Sequence, residues 1–122
     1  MEWQVTLPCF PSMVPVARRL ARGLMANCPR LDDAELVLAE LSANAVRYGS
    51  GEITVSVKAT SGWARLAVSD SGPAGQVGDV TCPEDDFDEW GRGLLIVDAL
   101  ADRWGHDHHL DGRNTIWAEL KW

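Results

Sequence analysis

The stretch Glu40-Leu41-Ser42-Ala43-Asn44-Ala45-Val46-Arg47-Tyr48-Gly49 decides how the rest of the chain is read. On a helix, residues four apart project within about 40° of each other, so Glu40 and Asn44 share a face. Ala34, Val37, Leu38, Leu41, Ala45 and Tyr48 recur with helical spacing and form a separate, inward stripe. The polar pair therefore flanks a core, where a carboxylate can act as a base beside an amide oxygen able to hold a hard cation. A Glu and an Asn on a helix more often form a solvated edge, so the pair carries weight only with further elements downstream.

Upstream, Trp3 to Leu7 is strand-like and stopped by Pro8 and Pro11. Ser12 has the chemistry of an N-cap, with Pro15 tolerated in the first turn of a helix running to about Asn27. Val16, Leu20 and Leu24 form its expected buried stripe. Arg18, Arg19 and Arg22 fall on the solvated side, where they would also suit an acidic partner. Cys28-Pro29-Arg30 ends that helix, and Asp32 with Glu35 reads as a capping box opening the next, which stops at Gly49.

Downstream, alternating patterns predict strands over 52–60 and 63–70, joined by Ser61-Gly62. Ala64, Leu66, Val68 and Asp70 point to one face, so Asp70 extends an apolar row where an ionised carboxylate needs a partner. Periodicity fails from Ser71 to Arg92, the length and composition of a lid over about 71–92. Gly91-Arg92-Gly93 is expected to open an almost wholly apolar helix, buried on most of its surface. Arg103 to Leu110 and Asn114 to Trp122 read as a closing hairpin around Asp111-Gly112-Arg113. This order predicts an α/β (α+β) two-layer sandwich, with helices on one face of a mixed, mostly antiparallel sheet.

The chain of 122 residues has the length of a single domain, and its 46% hydrophobic and 24% charged residues suit a globular core. No apolar run reaches bilayer length and the start lacks a signal-peptide pattern, so cytoplasmic location is the expectation. Cys9, Cys28 and Cys82 lack disulfide or zinc spacing. A net charge of −7 disfavours direct nucleic-acid binding but leaves room for a nucleotide, whose phosphates a divalent ion and backbone N–H groups can offset. His106, His108 and His109 read as surface polar residues of the hairpin.

Asp70-Ser71-Gly72-Pro73 sits at a strand end, where a carboxylate can accept from an exocyclic amine such as that of adenine. Gly72 would let the base approach the backbone, although Asp-x-Gly is also a common turn. Gly91-Arg92-Gly93-Leu94, at a loop-to-helix junction, suits phosphate, but it lacks the Lys-Ser/Thr of a P-loop. Thr115 opens the last strand, and its hydroxyl is expected to reach the same pocket as Asp70.

With these elements in this order, the chain resembles the GHKL superfamily of ATPases and kinases. Glu40-x-x-x-Asn44 matches its N box, Asp70-x-Gly72 its first glycine box and Gly91-x-Gly93-Leu94 its second. In its compact form it looks like the bacterial anti-sigma factor serine kinases. Val14-Pro15-x-Ala17-Arg18-Arg19, Asn44-Ala45-Val46-Arg47-Tyr48-Gly49 and Thr115-Ile116-Trp117-Ala118-Glu119-Leu120 carry that likeness. The resemblance implies ATP and Mg²⁺ as cofactors. Asn44 would hold the metal, Asp70 the adenine amine and Glu40 the proton of an incoming serine hydroxyl. Gly72, Gly91, Gly93 and Leu94 would shape the pocket, and Thr115 would support its adenine end. It also implies an anti-anti-sigma (STAS-type) protein as acceptor and a sigma factor as sequestered partner, with homodimer or monomer left open. One departure stands out: Pro73-Ala74-Gly75 puts the second glycine of the first box one place later than the family pattern. A catalytically silent ATP-binding module that works only by sequestration is the competing reading.

Overall fold

The computed structural model describes residues 1–49, 51–71 and 87–122, the side chains of Tyr48 and of 87–92 excepted. The elements are β1 (Glu2–Pro8), α1 (Met13–Leu24), α2 (Leu31–Tyr48), β2 (Glu52–Thr60), β3 (Trp63–Asp70), α3 (Phe87–Leu100), β4 (Arg103–His108) and β5 (Asn114–Lys121). The strands form one sheet in the order β1-β2-β3-β5-β4. All four pairings are antiparallel, so the mostly antiparallel sheet expected from the sequence contains no parallel pair among the described residues.

Alternation along the strands sends one set of side chains to the helices. Ile53, Val55 and Val57 of β2, Ala64, Leu66 and Val68 of β3, and Ile116, Ala118 and Leu120 of β5 are buried there. Against them α2 presents Ala34, Val37, Leu38, Leu41 and Ala45, the stripe its periodicity predicts. The helix lies on β3 and is flanked by α1 and α3. Gly62 and Gly112, at φ +86° and +90°, supply the left-handed backbone of the two hairpin turns.

Three local expectations are corrected. In α1 the buried residues are Ala17 and Ala21, followed by Met25 just past its end, whereas Leu24 is 47% exposed. Small side chains let α1 approach α2 closely, which turns the larger Val16 and Leu20 toward its flank. The Asp32/Glu35 capping box does not form. Helix α2 starts at Leu31 with Arg30 at the N-cap and no side-chain cap, and Asp32 lies inside the first turn. Glu35 is drawn instead to α1, where Arg18 Nη2 and Arg22 Nη2 reach its carboxylate at 3.2 and 2.8 Å. Finally, α3 begins at Phe87, so Gly91 and Gly93 lie within a helix and not at its opening. Its exposure is also greater than expected, since Leu94 and Val97 are buried but Leu95 is 67% exposed.

Candidate functional site

Helix α2 places the site. Glu40 and Asn44, one turn apart, both line a cavity of about 640 Å³ together with Cys9, Val14, Arg47, Gly93 and Ile96. Partial burial lifts the Glu40 carboxyl above the usual glutamate range, which suits a group that must take up a proton. Gly93 of α3 faces it so closely that a Cβ there would lie 3.2 Å from Glu40 Oε2. The second glycine of the Gly91-x-Gly93 pair therefore serves as a gap for the Glu40 carboxylate, while the start of α3 lies four residues before Gly91.

Arg47 is the residue of this cavity that sequence reasoning passed over. It stands seven residues after Glu40 and three after Asn44, the i, i+4, i+7 spacing of one helical face, and that spacing is the signal that could have found it. Cys9 lies at the same mouth, its Sγ 3.7 and 3.8 Å from the carbonyls of Ala45 and Val46. Burial, and then the Asp70 carboxylate, push its thiol pKa up.

Asp70 ends β3 on the helix-facing row and is 8% exposed. It lies against the C-terminus of α2, where a Cβ on Gly49 would come within 2.6 Å of Asp70 Cβ. Only glycine leaves room for that contact. The strand register sets Asn114 opposite Asp70 and Thr115 opposite Ser69. Directly paired residues share a face, so Asn114 stands beside Asp70 and Thr115 lies on the far side of the sheet. Its hydroxyl is 2.7 Å from Ser69 Oγ and 2.9 Å from His109 Nε2, so the expected reach of Thr115 to the Asp70 pocket is not found. Among the remaining candidates, Leu94 is buried in the core, and Gly72 and most of the 71–92 segment lie outside the described residues.

Among the described residues there is no cluster of three or more metal-ligating His, Cys, Asp or Glu. Asn44 offers one neutral oxygen, which suits a cation that arrives with its own anionic ligand. The profile of the histidine kinase-like ATPase domain matches residues 10–120. The chain belongs to that family. ATP binding follows from membership of this ATPase family.

Solved structures agree on the fold. The RsbU and RsbW domains of Rv1364c from Mycobacterium tuberculosis superpose with a TM-score of 0.73 at 20% identity, over 99% of this chain and 32% of that one. The histidine kinase AdeS of Acinetobacter baumannii gives a TM-score of 0.53 at 16% identity, over 98% of this chain and 67% of that one. The chain thus spans about a third of the length of the first of these. No curated protein matches the sequence significantly. Among the described residues, no helix of this ATPase domain is long and apolar enough to cross a membrane.

Proposed function

We propose that this histidine kinase-like ATPase domain is an anti-sigma factor with serine kinase activity, which phosphorylates an anti-anti-sigma protein and sequesters a sigma factor. The observation that carries the kinase reading is a partly buried Glu40 carboxyl, its pKa raised by that burial, one helical turn from Asn44 on a shared cavity. The Val14–Arg19, Asn44–Gly49 and Thr115–Leu120 stretches support the subfamily, as does the likeness in fold to a protein whose description includes an RsbW domain.

In this reading Asp70 accepts the exocyclic amine of adenine, and Arg47 lends the polyphosphate a positive charge. Mg²⁺ held by Asn44 would neutralise charge on the transferring phosphate. Glu40 orients the serine hydroxyl of the acceptor and takes its proton as the serine oxygen bonds to the γ-phosphorus and the bond to ADP breaks. Most of the acceleration then comes from positioning and charge neutralisation.

Transfer of labelled phosphate from ATP to candidate anti-anti-sigma proteins tests the proposal. Serine phosphorylation by the native chain, lost in Glu40→Gln, is the expected result. ATP binding without transfer to any acceptor would favour the silent sequestering module.

A further inference from the structure

Two histidines share the sheet face that carries Asp70. The β4 to β5 register pairs His108 with Asn114 and His106 with Ile116, and Ile116 points into the core. The row across three strands is therefore Asp70, Asn114 and His108, with His106 one step along the same face. The His106 and His108 rings stand 4.2 Å apart at 45°. His106 is half-buried, and its side chain hydrogen-bonds with that of Asn114. This differs from the surface placement that the sequence suggested.

We propose that His106 is a positioning residue of the nucleotide site, which in its neutral form holds Asn114 beside Asp70 and on protonation draws the Asp70 carboxylate away from the base. The inference rests on the reading of Asp70 as the base-binding carboxylate and adds to it a regulation by protons. A neutral imidazole leaves the charge of Asp70 to the exocyclic amine. An imidazolium on the same face competes for that charge, so nucleotide and proton exclude one another.

The surrounding groups set where the competition begins. Burial and the neighbouring His108 lower the His106 pKa, while Asp70 on β3, Asp107 on its own strand and the bond to Asn114 raise it, leaving it below the ordinary histidine value. On α3, which also packs against β4, the Asp98 carboxylate accepts from Trp104 Nε1 at 2.9 Å. His106 is thus neutral at pH 7 and takes up its proton only below the ordinary histidine value. By reciprocity, a bound nucleotide must lower its pKa further.

The test is ATP affinity of the full chain, with magnesium, from about pH 8 to about pH 5, reaching well below the ordinary histidine value. The dissociation constant should rise toward tenfold per pH unit once His106 titrates. In His106→Gln, which can keep a bond to Asn114, only the small drift from the phosphates of ATP itself should remain. Tripolyphosphate, which has no base, should show the same pH profile with both proteins. Independently of any variant, the His106 ring resonance of the native protein should titrate at lower pH when ATP is added. Equal slopes in native and variant protein, or a ring titration unmoved by ATP, would overturn the proposal. A native chain that binds no ATP even at about pH 8 removes the nucleotide reading itself, and this inference with it.

Discussion

At the scale of single residues, Glu40 illustrates a conflict between stability and chemistry. Burial raises its pKa, so the charged form, which in the proposed kinase step accepts a proton, is the form the fold tolerates less well. For a carboxyl whose folded pKa is raised, stability is greatest below the ordinary carboxylate range and falls as pH rises through it. Glu40→Gln is therefore expected to melt slightly higher than the native protein at neutral pH, to retain ATP and to lose about 10²- to 10⁴-fold in transfer rate. Calorimetry and a phosphotransfer assay read the two effects separately. Asn114 and Thr115 offer a second contrast, because adjacent strand residues serve opposite faces. Asn114→Ala should weaken ATP binding about tenfold, the worth of one well-placed hydrogen bond. Thr115→Val should leave binding unchanged and cost about 1 kcal/mol of stability through the lost contact with Ser69. The sequence already held the means to tell these two apart. Ile116, Ala118 and Leu120 form the apolar row of β5, and counting back by two from Ile116 reaches Asn114. Thr115, though it stands at the strand start, falls by the same parity on the outer face with Ser69.

At the scale of elements, the legible ones were those whose burial is one-sided. Strands β2 and β3 have the boundaries their alternation predicts, because a face that packs on α2 and a face that meets water impose period two without ambiguity. The end of α2 was legible as well, since Gly49 is required by the contact with Asp70 as much as by the helix stop. The start of α3 was not. Glycines read as helix openers, yet a helix interior can tolerate one at about 1 kcal/mol where a neighbour needs the space, as Glu40 does at Gly93. Pairings between distant elements were equally hidden, and Arg30 is the main case. Its Nε donates to Asp33 Oδ2 at 3.0 Å and Nη1 to Asp102 Oδ2 at 2.9 Å, and the guanidinium also reaches the carbonyls of Leu100 and Lys121 at 2.6 and 3.1 Å. One planar fork thus ties the start of α2 to the end of α3 and the end of β5. Arg30→Ala is expected to cost about 2 kcal/mol in denaturant unfolding. Arg30→Lys should restore little of it, because an ammonium cannot span four acceptors in that geometry. Full recovery by lysine would show that charge alone matters there.

At the scale of the whole molecule, proton and nucleotide act on the same stability, with signs that can be worked out. Asp102 has its pKa lowered, first by the Lys121 backbone N–H at 2.8 Å and then by Arg30. Its contribution is present above the ordinary aspartate pKa and is lost as pH falls through the folded value, opposite in sense to Glu40. Asp102→Asn should therefore lower the melting temperature at neutral pH, and the gap to the native protein should close under acid conditions. Nucleotide adds a term that requires only binding. A ligand at a hundredfold excess over its dissociation constant stabilises by about 2.7 kcal/mol, which for a domain of this size raises the melting temperature by about 10 °C. Because helix α2 packs on both β3 and α3, a nucleotide bound along it should protect the domain as one cooperative unit. Thermal melts with and without magnesium and ATP separate binding from chemistry in one measurement. The native chain and Glu40→Gln should show the same upward shift, whereas Asp70→Ala should show none. A shift lost equally from both variants would mean that Glu40 holds the nucleotide and does not act on the acceptor. A shift retained in Asp70→Ala would mean that the base is gripped elsewhere than at the end of β3.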